Sequence, residues 1–303
     1  MFNLLAAIAC STAIALVLKL GEERGYSRYV ILAMNYATAT GISFWMVLRE
    51  RILGNLGSVS PDSLIRQMIS GHTADGFLDP ANSSLWALVI GIPTGFLYFL
   101  GFYYYQRSVK ESGVGMAGSY AKMGILVPMI LSMVFWREFP SGLQWAGMAL
   151  ALTAIGIVNL KFSCGRQVFS GIKPALLLLF LSCGISEFAG KLYQRYGMQE
   201  IKGLFLLFLF ATALAVSLFM IRGKPSAREV ITGLAVGIPN FFASWFLISA
   251  LSALPASVVF PTYSAGSIAL ICLGGRLLYN ERLKVREYAA IILTMAALLL
   301  VNL

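Results

Sequence analysis

The chain has 303 residues, of which 58% are hydrophobic and only 12% charged, and a mean hydropathy of +0.79. These values exclude an ordinary soluble domain. A formal net charge of +10 does not point to nucleic acid, because the Lys and Arg residues cluster in short loops at the edges of apolar runs.

Apolar runs of roughly 18–24 residues are each long enough to cross about 30 Å of hydrocarbon. They predict ten spans, at 2–20, 28–48, 84–106, 112–135, 142–161, 173–195, 202–221, 229–250, 255–278 and 285–302. The first run has no basic region and no small-residue cleavage site, so it is expected to be a retained helix and not a signal peptide. Between the second and third spans, residues 51–80 form an insertion. Within it Ser60-Pro61-Asp62 reads as a helix start, with Leu64, Ile65, Met68 and Ile69 on one face. An interfacial amphipathic helix and a surface loop with one helical turn are the two readings. His72, the only histidine, falls in this loop. Cys10, Cys164, Cys183 and Cys272 have neither disulfide nor zinc spacing and read as small buried hydrophobes.

The chain is written twice. Ile90-Gly91-Ile92-Pro93 returns as Val236-Gly237-Ile238-Pro239, 146 residues later, and Val158-Asn159-Leu160 returns as Val301-Asn302-Leu303. Residues 1–161 and 162–303 therefore form two five-span repeats, the first carrying the insertion near 51–80. Because five is odd, the second copy enters the bilayer from the opposite side. The expected fold is all-α integral membrane, ten transmembrane helices as two inverted five-helix repeats. Such architectures place a substrate site near the midplane and alternate access around it. Thirteen Lys and Arg residues flank the odd-numbered loops against six on the even ones, which puts the odd loops in the cytoplasm and both termini outside.

An ionisable side chain inside hydrocarbon is a functional candidate. Lys122 lies about ten residues into the fourth span, about 15 Å deep. It is either a cavity-facing group or half of a structural pair with a buried acid. The sequence around it, Ser119-Tyr120-Ala121-Lys122, is answered by Thr262-Tyr263-Ser264-Ala265, so hydroxyl and tyrosine recur while the lysine occurs once. A symmetric frame with one unmatched charge suits an asymmetric ligand, whereas helix packing by hydroxyls is the plainer reading. Glu187 and Lys191 share a face of the sixth span, in the favourable order for an ion pair. Their counterparts are Ala15 and Lys19, and Lys19 and Lys191 can also snorkel to headgroups. Asn35 is a buried amide that either lines the path or bonds a neighbouring helix. Tyr103, Tyr104 and Tyr105 close the third span as an interfacial belt. Pro93 and Pro239 fall mid-span at matching positions.

The five-plus-five repeat, Glu138 and Glu281 closing the fourth and ninth spans, and Trp145-Ala146-Gly147 opening the fifth resemble the drug/metabolite transporter superfamily, in particular its EamA-like ten-helix transporters. Ala290 stands where the second half would repeat Gly147. The resemblance implies a small-molecule transporter or exchanger with both termini in the cytoplasm, opposite to the charge count. The three lysines favour a cargo with an anionic group: an amino acid, a carboxylate or a phosphorylated metabolite. The expected partners are this substrate, membrane lipids and a coupling proton or counter-substrate, with no nucleic acid and no cofactor or metal. The chain is expected as a monomer or homodimer in a bacterial inner membrane. An enzyme is not expected, since no span carries two acids and no phosphate-binding GxxxxGK[ST] loop occurs. A flippase or accessory subunit for a lipid-linked carrier on the same fold is the alternative.

Overall fold

The computed structural model describes residues 1–50, 61–70, 78–112, 120–121, 123–137, 139–159, 174–221, 224–279 and 285–302. Among them the regular structure is helical: α1 (Phe2–Glu23), α2 (Arg28–Arg49), α3 (Pro61–Ser70), α4 (Pro80–Ser112), α5 (Leu126–Trp136), α6 (Gly142–Asn159), α7 (Pro174–Tyr196), a 3-10 turn at Gln199–Ile201, α8 (Lys202–Leu218), α9 (Ala227–Leu251), α10 (Ala256–Tyr279) and α11 (Val285–Asn302). Among the described residues seven stretches are long and apolar enough to cross a membrane: Phe2–Gly21, Arg28–Arg49, Pro80–Tyr105, Pro174–Tyr196, Gln199–Leu218, Ala227–Leu251 and Ala256–Leu278. Of the span expected at 112–135, residues 113–119 and 122 lie outside the described residues, and α5 is an apolar helix of 11 residues within its second half. Helix α4 runs on to Ser112, while its candidate membrane span ends at Tyr105, so the Tyr103–Tyr105 run closes the span but not the helix.

Two compact units are formed, and each draws on both halves of the sequence: Met1–Phe96 with Ala189–Ala253, and Leu97–Phe188 with Leu254–Leu303.

In the first unit α1 and α2 pack along α9, and α2 also packs along α8. Glycine makes these approaches possible. A Cβ on Gly237 would collide with Thr38 Cβ and lie 2.5 Å from the Asn35 carbonyl oxygen, and one on Gly233 would meet Ile31 O at 2.7 Å. On α4, a Cβ on Gly91 would stand 3.0 Å from Phe205 O, while Gly95 is pressed against the backbone of Leu209. Small residues four apart let backbones touch, the packing favoured where lipid supplies no hydrophobic drive. In each seam the contact advances four residues on both helices, so α9 runs parallel to α2 and α4 runs parallel to α8. The repeated glycines, Gly91 and Gly237, thus both lie in such seams, Gly91 as the earlier and Gly237 as the later glycine of its pair.

The ends of this unit are held by hydrogen bonds. Ser226 caps α9 in a capping box with Glu229. The same carboxylate accepts the Ser27 N–H at 2.8 Å and the Ser226 N–H at 2.8 Å, tying the start of α2 to the start of α9. At the matching place on α4, Ser83 Oγ accepts the Met198 N–H at 3.2 Å. Gly25, at φ +68°, closes the α1–α2 turn in the left-handed region that glycine tolerates.

In the second unit α10 packs on α5, α6 and α11, and α6 lies along α11. Arg137 ends α5 at φ 53°, an unusual left-handed conformation for a residue with a side chain.

Candidate functional site

In the second unit α10 is the element that stands out, because 76% of its apolar window is buried. It nevertheless carries Ser257, Thr262, Ser264 and Ser267, all between 0% and 3% exposed. Hydroxyls in apolar helices ordinarily donate to the carbonyl four residues back. Thr12, Ser43, Thr94, Ser186 and Ser217 do so, at 2.6–2.8 Å. Ser257 and Ser267 instead have buried Oγ atoms with no hydrogen-bond partner among the described residues, as do Ser108 on α4 and Ser132 on α5. All four belong to the second unit and all are fully buried. At 100° per residue Ser257, Ser264 and Ser267 fall within about 80° of one another around α10, so they form one polar stripe.

Three members of the predicted frame are among the described residues. Thr262 is buried and Tyr263 half-buried on α10, and Tyr120 is half-buried. Ser119 and Lys122 lie outside the described residues, as do His72, Glu138, Glu281 and Cys164. The turn after Tyr120 meets α7 closely: a Cβ on Gly184 would stand 2.7 Å from Gly124 O. Glu187, half-buried, follows Gly184 by one turn on α7. Phe188 stacks on Trp136 of α5 at 5.7 Å.

Three predicted residues belong to the first unit. Lys191 is 3% exposed on α7, and Lys19 is half-buried on α1. Asn35, 7% exposed, accepts a hydrogen bond from Asn240 Nδ2 at 3.0 Å. Of its two readings, bonding to a neighbouring helix is the one seen.

Lys202, one of the six basic residues counted at the even-numbered loops, is the first residue of α8 and is 9% exposed, in a packed position. Its ammonium donates to Ser249 Oγ at 2.5 Å and lies 4.0 Å from the centroid of the Trp245 ring. Trp245 and Ser249, four apart on α9, present ring and hydroxyl on one face. Glu50, which caps α2, is close enough to interact electrostatically with Lys202. Burial pushes the Glu50 carboxyl above its ordinary range, and Lys202 and Arg49 pull it partly back. One sequence signal exists: a lysine in the first turn of a helix opposes the helix dipole and needs a partner. Among the described residues no group of three His, Cys, Asp or Glu side chains could hold a metal ion.

Residues 173–303 match the family model of the EamA-like transporter family. Over 308 aligned residues the chain is 24% identical to an uncharacterised protein of Haemophilus influenzae, covering 98% of this chain and 96% of that protein. A solved crystal structure superposes with a TM-score of 0.67 at 16% identity, covering 99% of this chain and 94% of the other, a likeness of fold. Residues 173–303 thus resemble the EamA-like transporter family, and the apolar helices are those of a multi-pass helical membrane protein.

Proposed function

We propose that the protein is a secondary transporter or exchanger of a small polar metabolite bearing an anionic group, working by alternating access around a midplane site between two inverted five-helix repeats. The observation that carries this reading is the polar stripe of α10. The most buried candidate span holds fully buried hydroxyls, two of them without a partner among the described residues. A span whose only task was packing would satisfy a mid-helix hydroxyl such as that of Ser267 on the carbonyl four residues back, as the helices of the first unit mostly do, whereas Ser257 in the first turn of α10 has no such carbonyl within the helix. Hydroxyls left available along a buried helix suit a hydrated polar cargo. Lys122 then meets the anion, with Ser119, Tyr120, Thr262 and Tyr263 framing the remainder.

The repeat reading gains support from the two glycine seams. Parallel α2/α9 and α4/α8 pairs require an odd number of crossings between the members of each pair. The segments around α5 and α6 therefore cross together or not at all, and both crossing, with α11 as a further span, gives ten.

Thermal-shift screening of the purified protein against a metabolite panel tests the cargo class. Stabilisation by carboxylates or phosphates is expected. Shifts with amines or neutral sugars alone would overturn the anion assignment. Ser257→Ala and Ser267→Ala should leave the melting temperature near that of the wild type while lowering transport, because the hydroxyls removed bond no described protein group.

A further inference from the structure

The insertion peculiar to the first half forms a ten-residue helix, α3. Its polar side is committed to the start of α4. Gln67 Nε2 donates to Asp79 Oδ2 at 2.5 Å, and Ser63 Oγ donates to Asn82 Oδ1 at 2.8 Å. Asp79 in turn accepts from the Asn82 backbone N–H at 2.7 Å, so the bonds rest on the first turn of α4. Because a candidate membrane span begins at Pro80, these bonds hold α3 at the level where hydrocarbon gives way to headgroups. The apolar face expected from sequence is divided: Leu64 is 7% exposed, and Ile65 points outward at 54% exposed.

We propose that α3 lies in the plane of the bilayer surface as a brace on α4, with Ile65 inserted among the upper acyl chains and the flanking Asp62 and Arg66 among the headgroups. The partner is the lipid surface, and its attraction is apolar. On α3 itself Asp62 offsets Arg66. Such a balanced helix gains little from anionic lipid, unlike a basic amphipathic helix. The inference rests on the membrane span that starts at Pro80 and is independent of the transport reading.

The test uses the full chain in proteoliposomes of neutral phosphatidylcholine, with Cys10, Cys164, Cys183 and Cys272 replaced by alanine. Ile65→Cys and Asp62→Cys are each labelled with an environment-sensitive nitrobenzoxadiazole dye. The dye at 65 should emit further to the blue and be quenched by shallow spin-labelled lipid. The dye at 62 should be quenched by aqueous iodide. Adding anionic lipid should leave both unchanged. Equal iodide quenching at the two positions would overturn the proposal, and a strong dependence on anionic lipid would overturn its apolar basis. Should either variant fail to reconstitute, the wild-type protein decides the placement instead. A lipid carrying a photoreactive diazirine near the headgroup should label the peptide containing Ile65, and absence of that label would contradict the placement.

Discussion

Replacing Gly237 by alanine perturbs the α2–α9 seam at its tightest described point. The new methyl would collide with Thr38 Cβ and lie 2.5 Å from the Asn35 carbonyl oxygen, against an ordinary contact distance of at least 3.4 Å. Relief requires the two helices to part by about 0.9 Å, the difference between 3.4 and 2.5 Å. The carbonyl is backbone and cannot rotate away, so the loss extends beyond one methyl. It loosens the contacts of Gly233 one turn earlier and lengthens the 3.0 Å Asn240–Asn35 bond. Overpacking of this kind costs ~1–3 kcal/mol, and the backbone clash places this case at the upper end. Gly41, on the same α2, is the control, since nothing lies within 4 Å of a Cβ built there. Gly41→Ala should be neutral or stabilising by up to ~1 kcal/mol, because alanine is the better helix former. Thermal unfolding of the two variants in detergent, read by intrinsic fluorescence and by monodisperse elution after heating, makes the comparison. Equal melting temperatures for Gly237→Ala and Gly41→Ala would refute the seam reasoning.

Other outcomes follow from the ends of the first unit. Glu229→Ala should destabilise by ~1–3 kcal/mol, since one carboxylate accepts charge-assisted bonds from two N-cap residues. Ser83→Ala, at the matching place, should cost less because its bond to Met198 is neutral; melting curves of the pair decide the order. Trp245→Leu should destabilise by ~0.5–2 kcal/mol through loss of the ring beneath Lys202, and Lys202→Met in that background should recover part of the loss. For Glu50 the folded chain holds its proton more tightly than the unfolded chain. The stabilisation this gives is complete below the ordinary value of 4.5 and is lost as pH rises through the raised folded-state value. Glu50→Gln, which keeps a neutral side chain, should therefore match the wild type near pH 4 and melt no lower at pH 7; a clear drop at pH 7 would contradict burial as the dominant influence.

Hydropathy places most helices well. The expected 28–48, 173–195 and 229–250 compare with α2 at Arg28–Arg49, α7 at Pro174–Tyr196 and α9 at Ala227–Leu251. Local physics suffices there, because length and apolarity decide both existence and position. The repeat of Gly-Ile-Pro is visible as a pattern, while its role is not. That Gly91 and Gly237 each admit a neighbouring carbonyl depends on which helices meet, and hydropathy carries no record of that. Asn35 illustrates the same limit, since its partner Asn240 lies 205 residues away in the chain. Lys202 escapes a sequence reading because a lysine at a span edge usually reaches water, and only the packing of α9 supplies the ring and hydroxyl that hold it. The serines of α10 escape it for a related reason. A serine in an apolar helix looks alike whether or not its hydroxyl bonds its own backbone.

Transport of an anionic metabolite governed by an intramembrane lysine is tested most directly by one comparison in proteoliposomes. Uptake and counterflow of the panel member that gives the largest thermal shift are measured for the wild type and for Lys122→Ala. The wild type should show saturable uptake, and the variant, still folded, should lose at least about tenfold in apparent affinity, the cost of about one unpaired charged contact. Unchanged uptake and affinity in Lys122→Ala would contradict the role of that lysine and the transport reading built on it.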